Sequence, residues 1–332
     1  MSSSLRTPAV VVCVAAMALY GDATAALSPD SRLYNPSAMA TAKIEGDQHY
    51  EELRKAGVLR LRRDVIVRAR APDGLPLKKE EKMVHLIRHG QGYHNLLGDV
   101  YRDFGKSVDS TGGGDADNPY VRPEIEDAPL TAIGRTQAKG LRVATKILSG
   151  IELVVVSPLR RAAETAALSM PHLRTVVPWV GHPAVQETSG KHTCDRRRDR
   201  SEIKDDFPWV DWGLVSPERD GVWTADREQP KAVSDRAYAF LLWLRERPER
   251  EVAVATHSAW LFTLLNSCVD CADPQLAAWF LTGELRSVVL SYEDYILSDV
   301  DQQVKDAFGY TYPIPPKDDD GNVVEWAAKG DL

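Results

Sequence analysis

The chain is expected to fold as α/β around a mainly parallel sheet. Short, nearly continuous apolar runs, which suit strands buried on both faces, alternate with stretches of helical period. The composition, 332 residues at 43% hydrophobic and 27% charged, is that of an ordinary globular protein able to bury a large core. A formal net charge of −7 argues against a protein that coats nucleic acid or anionic membrane, so any anion site must be local.

The first 25 residues stand apart. Arg6 precedes an apolar run from Ala9 to Tyr20, and Ala23-Thr24-Ala25 has the small-x-small spacing of a cleavage site. The run is shorter than the ~20 residues a membrane span requires, so residues 1–25 read as a signal peptide. That predicts a secreted or endomembrane protein with no stable span after processing. An organellar presequence and an uncleaved anchor are the alternatives. Residues 26–80 form a polar extension with a helix-like patch at Tyr50–Leu61, expected to pack on the main domain.

The main domain is assigned to residues 81–295. Its first strand, Met83–Arg88, is apolar apart from His85 and Arg88, and the chain then turns at Gly90 and Gly92. Asp109–Pro119 is a Gly/Asp-rich insertion; Gly112–Gly114 lacks the Lys-Ser/Thr of a phosphate loop and follows no strand. A helix is predicted over Pro129–Leu148, with Thr131 as N-cap and Gly150 beyond its end. Leu153–Val156 reads as a buried strand, Leu159–Met170 as a helix opened by Pro158, and Thr175–Pro178 as a third strand. Residues 181–230, with Trp209, Trp212 and Trp223, are too long for a simple connection and read as a cover. A helix (Ala232–Arg247), a strand (Glu251–Ala255), helices at Ser258–Asn266 and Leu276–Leu281 and a strand at Arg286–Ser291 follow. Residues 296–332 form a tail. Cys268 and Cys271 read as a local disulfide or two thiols, because no second pair completes a zinc site.

Three predicted strands end in reactive polar groups: Arg88-His89-Gly90, Ser157 to Arg161, and Thr256-His257-Ser258. In a parallel sheet these ends share one rim, the edge where open α/β folds keep their chemistry. Two guanidiniums facing two imidazoles make a pocket for a tetrahedral dianion, and one histidine could attack phosphorus. A departing alkoxide then needs a proton donor, typically a carboxylic acid. His85 alternates away from this rim and reads as structural, whereas His94 suits either the pocket or a helix start.

The blocks RHGQGYHN (Arg88–Asn95), SPLRRAAETA (Ser157–Ala166), QETSG around Glu187 and THS (Thr256–Ser258) resemble the histidine phosphatase, or phosphoglycerate mutase-like, superfamily. The runs HTCDRRR (His192–Arg198) and FPWVDW (Phe207–Trp212) resemble its plant and fungal phosphoglycerate mutase-like members, and the likeness spans roughly residues 83–291. The resemblance implies a three-layer α/β/α fold. It implies His89 as the phosphorylated nucleophile, Arg88 and Arg161 as the phosphate clamp, His257 as the second pocket histidine and Asn95 as a pocket asparagine. Glu187 falls on the proton donor, with Asp195 or Glu202 as substitutes in a shifted register. Gln91, His192 and Arg197 are further candidate substrate contacts. A protonated His257 would help to neutralise the transferring group. Residues 192–198 read as electropositive capture rather than a solvated loop, and the cover suggests a substrate with a further anionic or planar group. No Asp-rich constellation is present, so metal-independent chemistry without a cofactor is expected. The leading expectation is hydrolysis of a small phosphomonoester through phosphohistidine. A phosphoglycerate mutase-type transfer and a catalytically silent phospho-ligand binder are the rivals.

Overall fold

The computed structural model describes residues 36–61, 63–112 and 118–294. The signal-peptide and C-terminal-tail assignments lie outside these residues. In chain order the elements are α1 (Pro36–Lys55), β1 (Val65–Arg70), β2 (Glu81–Arg88), α2 (Tyr93–Asp103), α3 (Ala132–Gly140) and α4 (Arg142–Ile147). Then come β3 (Leu153–Val156), α5 (Arg160–Ser169), β4 (Trp179–Gly181), α6 (Arg200–Asp206), α7 (Pro230–Glu246), β5 (Glu251–Thr256), α8 (Ser258–Thr263), β6 (Val269–Cys271) and β7 (Leu285–Asp294).

The strands form one sheet of order β4-β3-β5-β2-β7-β1-β6. β4, β3, β5 and β2 are mutually parallel, whereas β7 runs antiparallel to both β2 and β1. Side chains alternate cleanly across it, as the strand period of two requires. Val84, Leu86, Val155, Val252 and Val254 meet α7 and α8 on one face through Phe240, Leu241 and Trp260. Ile87, Val154, Val156, Ala253 and Ala255 meet Ala163, Ala166 and Met170 on the other. With both faces covered, the sheet has the three-layer α/β/α arrangement. The extension contributes more than packing, since β1 is an interior strand between β7 and β6.

Several element boundaries depart from the sequence expectation. The first extension helix is Pro36–Lys55, and Tyr50–Leu61 is its final turn and the loop beyond. The helix predicted over 129–148 breaks into α3 and α4 after Gly140, a poor helix former; Thr131 does cap α3, accepting from Gly134 N at 3.0 Å. The third strand lies at Trp179–Gly181 rather than Thr175–Pro178, since Pro178 has no N–H to add to the ladder and only its carbonyl pairs, with Val154 N at 3.0 Å. Helix α8 stops at Thr263 and continues as a wider turn over Leu264–Cys268. Leu276–Leu281 is not a helix. Its carbonyls at Leu276, Ala278 and Trp279 accept from the Arg286 guanidinium, and Phe280 O from Arg88, which supplies by side chain what helix bonds would have supplied. Cys194, Cys268 and Cys271 are thiols.

Candidate active site

β2, β3 and β5 deliver their carboxyl ends to one rim, and ladder bonds continue past them: His89 N donates to Thr256 O and Ser157 N to Ala255 O, each at 3.0 Å. The turn after His89 is tight because Gly90 lies against α3; a Cβ there would sit 2.4 Å from Gly134 O, and one on Gly134 would sit 2.1 Å from Gln91 O. Close approach, not an unusual φ, is what requires glycine at both positions.

His89 is fully buried. Its Nδ1 lies 2.7 Å from Gly90 O, which can only accept, and its Nε2 lies 3.3 Å from Arg161 Nε, which can only donate. The proton is therefore on Nδ1, and Nε2 carries a lone pair. Burial, then the charges of Arg161 and Arg88, hold the imidazole well below its usual pKa, so it is neutral and nucleophilic.

Arg161 stands in the first turn of α5 and spends its other nitrogens on Cys194 O (2.6 Å) and Asp195 Oδ1 (2.8 Å). Asp195 in turn accepts from Arg227 Nη1 at 2.7 Å. Burial raises the Asp195 pKa, but Arg227 and Arg161 outweigh it and keep the carboxylate ionised. Arg227 also donates to Thr188 O and Gly190 O. Glu187 accepts from Trp260 N and Thr188 N at 3.0 Å and from Ala259 N at 3.3 Å, which fixes its carboxylate at the start of α8.

A cavity of about 50 Å³ joins these groups. Of the residues expected at the site, Arg88, His89, Asn95, Arg161, Glu187 and His192 line it, and so does His94. His257 lies directly behind His89, ring centroids 5.1 Å apart, and bonds Ser157 Oγ at 2.7 Å. Burial, then Arg161 and neighbouring histidines, push its pKa well down, which favours a neutral His257 rather than the protonated one expected. Among the described residues that line the cavity, Arg88 Nε, Arg227 Nε, His94 Nδ1 and Trp279 Nε1 are buried without a hydrogen-bond partner. Buried polar atoms left open at one cavity suit a polar ligand.

Other expectations are corrected. Gln91 does not reach the cavity; its Oε1 accepts from Thr131 Oγ1 at 2.8 Å and ties the turn to α3. The Arg197 guanidinium is consumed by the carbonyls of Pro217, Glu218, Arg219 and Arg198, so it braces the cover. Arg198 pairs with Asp127 and Asp206, and Arg196 lies over Trp223. The basic run is thus largely structural, and of its basic residues only His192, which burial keeps neutral, faces the cavity. Trp212 is core, Trp209 packs beside it, and Trp223 Nε1 donates to His192 O at 2.8 Å. Glu202 caps α6 through Asp199 N at 3.2 Å, far from proton-donor duty. His85 bridges Ser287 and Glu251 inside the sheet.

The sequence reading missed Arg227, which carries no motif, and Glu45 and His49 of α1, which belong to the extension. It weighed Asp195 only as a proton donor. The available signal for Asp195 and Arg227 was their place in the long cover that follows Glu187; none pointed to α1.

The description of the histidine phosphatase superfamily, branch 1, matches residues 122–295, a span that holds Arg161, Glu187 and His257 and begins after His89. A phosphoglycerate mutase-like protein of Arabidopsis thaliana is 30% identical over 243 residues, covering 63% of this chain and 84% of that protein. Phosphoglycerate mutase-like protein 1 of the same plant is 30% identical over 279 residues, covering 73% of this chain and 94% of its own length. A mycobacterial glucosyl-3-phosphoglycerate phosphatase structure is 18% identical with a TM-score of 0.37, over 65% of this chain and 100% of that one. With its family match over more than half of its length, the chain belongs to the histidine phosphatase superfamily.

Proposed function

We propose that the protein hydrolyses a small phosphomonoester through a phosphohistidine formed on His89. The observation that carries this reading is the hydrogen-bond pair on that ring: Gly90 O holds the proton on Nδ1, and the Nε2 lone pair, which accepts from Arg161 Nε, lies at a guanidinium-lined cavity. A phosphoryl group seated there displaces the Arg161 contact and meets Nε2. As the N–P bond forms, the P–O ester bond breaks, and the leaving oxygen takes a proton from a carboxylic acid at Glu187. Water then attacks phosphorus, the N–P bond breaks back to neutral His89, and Glu187 recovers a proton from that water. Arg88 and Arg161 offset the charge on the three equatorial oxygens, the main contribution available in phosphoryl transfer. His257, anchored on Ser157, supports the His89 ring from behind.

The test is His89→Ala with an aryl phosphate. Turnover should vanish, and acid-labile phosphate should appear on the wild-type chain after rapid quenching but not on the variant. Aryl phosphate turnover surviving in His89→Ala would refute the mechanism. A mutase reading is favoured by the names of the plant relatives, phosphoglycerate mutase-like proteins. It predicts label retained on an isomer of the substrate rather than free phosphate.

A further inference from the structure

The motifs that carry the chemistry come from residues 88–257, yet one wall of the cavity comes from α1. Glu45 and His49, four residues apart and therefore on one helical face, both line it. Glu45 is buried and its Oε1 accepts from Arg102 Nη2 at 2.8 Å. His49 stacks on Trp279 with ring centroids 4.8 Å apart at 20°, and Trp279 lies in turn beside the Arg88 guanidinium. The helix is fixed here: Leu53 packs with Phe262 and Trp279, and a Cβ on Gly46 would stand 3.3 Å from Trp279 Cβ. Gln48 meets Ser110 of the insertion loop at 3.3 Å, so the two segments outside the strand ends close the same mouth.

Cations are few around the cavity. Counting Glu187 as the acid of the step above, Arg88, Arg161 and Arg227 face the carboxylates of Glu45 and Asp195, with no lysine and no further arginine in the lining among the described residues. A phosphate dianion turns the sum of these charges negative. Of the lining cations only Arg227, bonded to Asp195, stands outside the phosphate clamp, and on the α1 side a second anionic group on the substrate would meet the Glu45 carboxylate in a site where charges are weakly screened.

We propose that α1 forms the leaving-group subsite, and that Glu45 selects phosphomonoesters whose alcohol carries hydroxyl or ammonium donors and rejects those with a second anion beside the phosphate. This rests on the hydrolase reading above. Glu45 accepts a hydrogen bond from the donor, and the His49–Trp279 pair supplies a flat apolar wall. A phosphoglycerate, with its carboxylate, is then a poor substrate. The substrate class differs from the one that the tryptophans and basic run of the cover suggested, because those groups are turned inward to structural partners.

Glycerol 3-phosphate and 3-phosphoglycerate share a carbon skeleton and differ by one carboxylate, so they make the comparison. The wild-type chain should show kcat/KM at least tenfold higher for glycerol 3-phosphate. Glu45→Gln, which keeps an acceptor for Arg102 while removing the charge, should shrink that ratio at least fivefold by raising the phosphoglycerate rate. Arg102→Gln, which leaves the Glu45 charge unopposed, should widen it. A wild-type preference for phosphoglycerate, or a ratio unmoved by Glu45→Gln, overturns the proposal. The hydrolase reading is judged separately by p-nitrophenyl phosphate: if wild type releases no p-nitrophenol, that reading falls. Selectivity is then read from the dissociation constants of the two phosphates by calorimetry, where the same tenfold ratio is expected and equal binding sinks the subsite.

Discussion

Arg161→Lys tests whether geometry, rather than charge alone, makes the phosphate clamp. The substitution preserves the positive charge, so Coulomb attraction for phosphate is nearly unchanged. What it removes is the fork. Arg161 divides three nitrogens among His89 Nε2, Cys194 O and Asp195 Oδ1 at 3.3, 2.6 and 2.8 Å, whereas an ammonium gathers its donors on one atom. At least two of those contacts are lost. Hydrogen bonds to charged groups contribute roughly 1.5–3 kcal/mol each; water entering the vacated space offsets part, leaving about 3 kcal/mol of misplaced transition-state stabilisation. At about 1.4 kcal/mol per decade, kcat/KM for an aryl phosphate should fall roughly 100-fold. Asp195 keeps its bond to Arg227, so the fold should survive. The assay is initial-rate kinetics, paired with a thermal melt to confirm folding. A folded Arg161→Lys protein with kcat/KM within threefold of wild type would refute the reasoning.

Other outcomes follow from the same geometry. Gly90→Ala forces a Cβ to 2.4 Å from a backbone carbonyl and should destabilise the protein by about 3 kcal/mol or more, read as a lowered urea midpoint. Arg197→Ala should lower the melting temperature by several degrees, through four freed carbonyls, while leaving KM for an aryl phosphate unchanged; a raised KM would return Arg197 to the substrate site. Buried His89, His94 and His257 have depressed pKa values, and burial lowers His182 to about 4 and His192 to about 3. Below the unfolded value of about 6.5 the unfolded chain therefore binds more protons than the folded one. Stability is present in full above pH 6.5 and should fall steadily from pH 6.5 to 5, by up to about 1.4 kcal/mol per pH unit per histidine; a flat urea midpoint across that window would contradict the burial argument.

The parts of this protein that were legible in its sequence are those where one physical rule governs a contiguous run. β3 and β5 are short apolar strands buried on both faces, and a parallel sheet puts their polar ends on one rim. Legibility failed where a side chain's role depends on what the tertiary fold brings to it. Arg197 and Arg161 look alike in sequence, and only the surrounding carbonyls make one a brace and the other a clamp. The segment 276–281 has helical composition, but the Arg286 and Arg88 guanidiniums stabilise its irregular path. α1 reached the cavity through packing on Trp279, a contact some 230 residues distant that no local pattern encodes.

The placing of β1 and β2 has a consequence for synthesis of the chain. β1 finds its neighbours only in β6 and β7, and β2 only in β5 and β7, so both wait unpaired until nearly all of residues 36–294 have been made. Such non-local pairing slows folding and exposes strand edges in the meantime. A nascent chain halted before residue 285 carries its nucleophile on a strand open along one side, which makes the last strand the step that both seals the sheet and protects the unfinished protein from association.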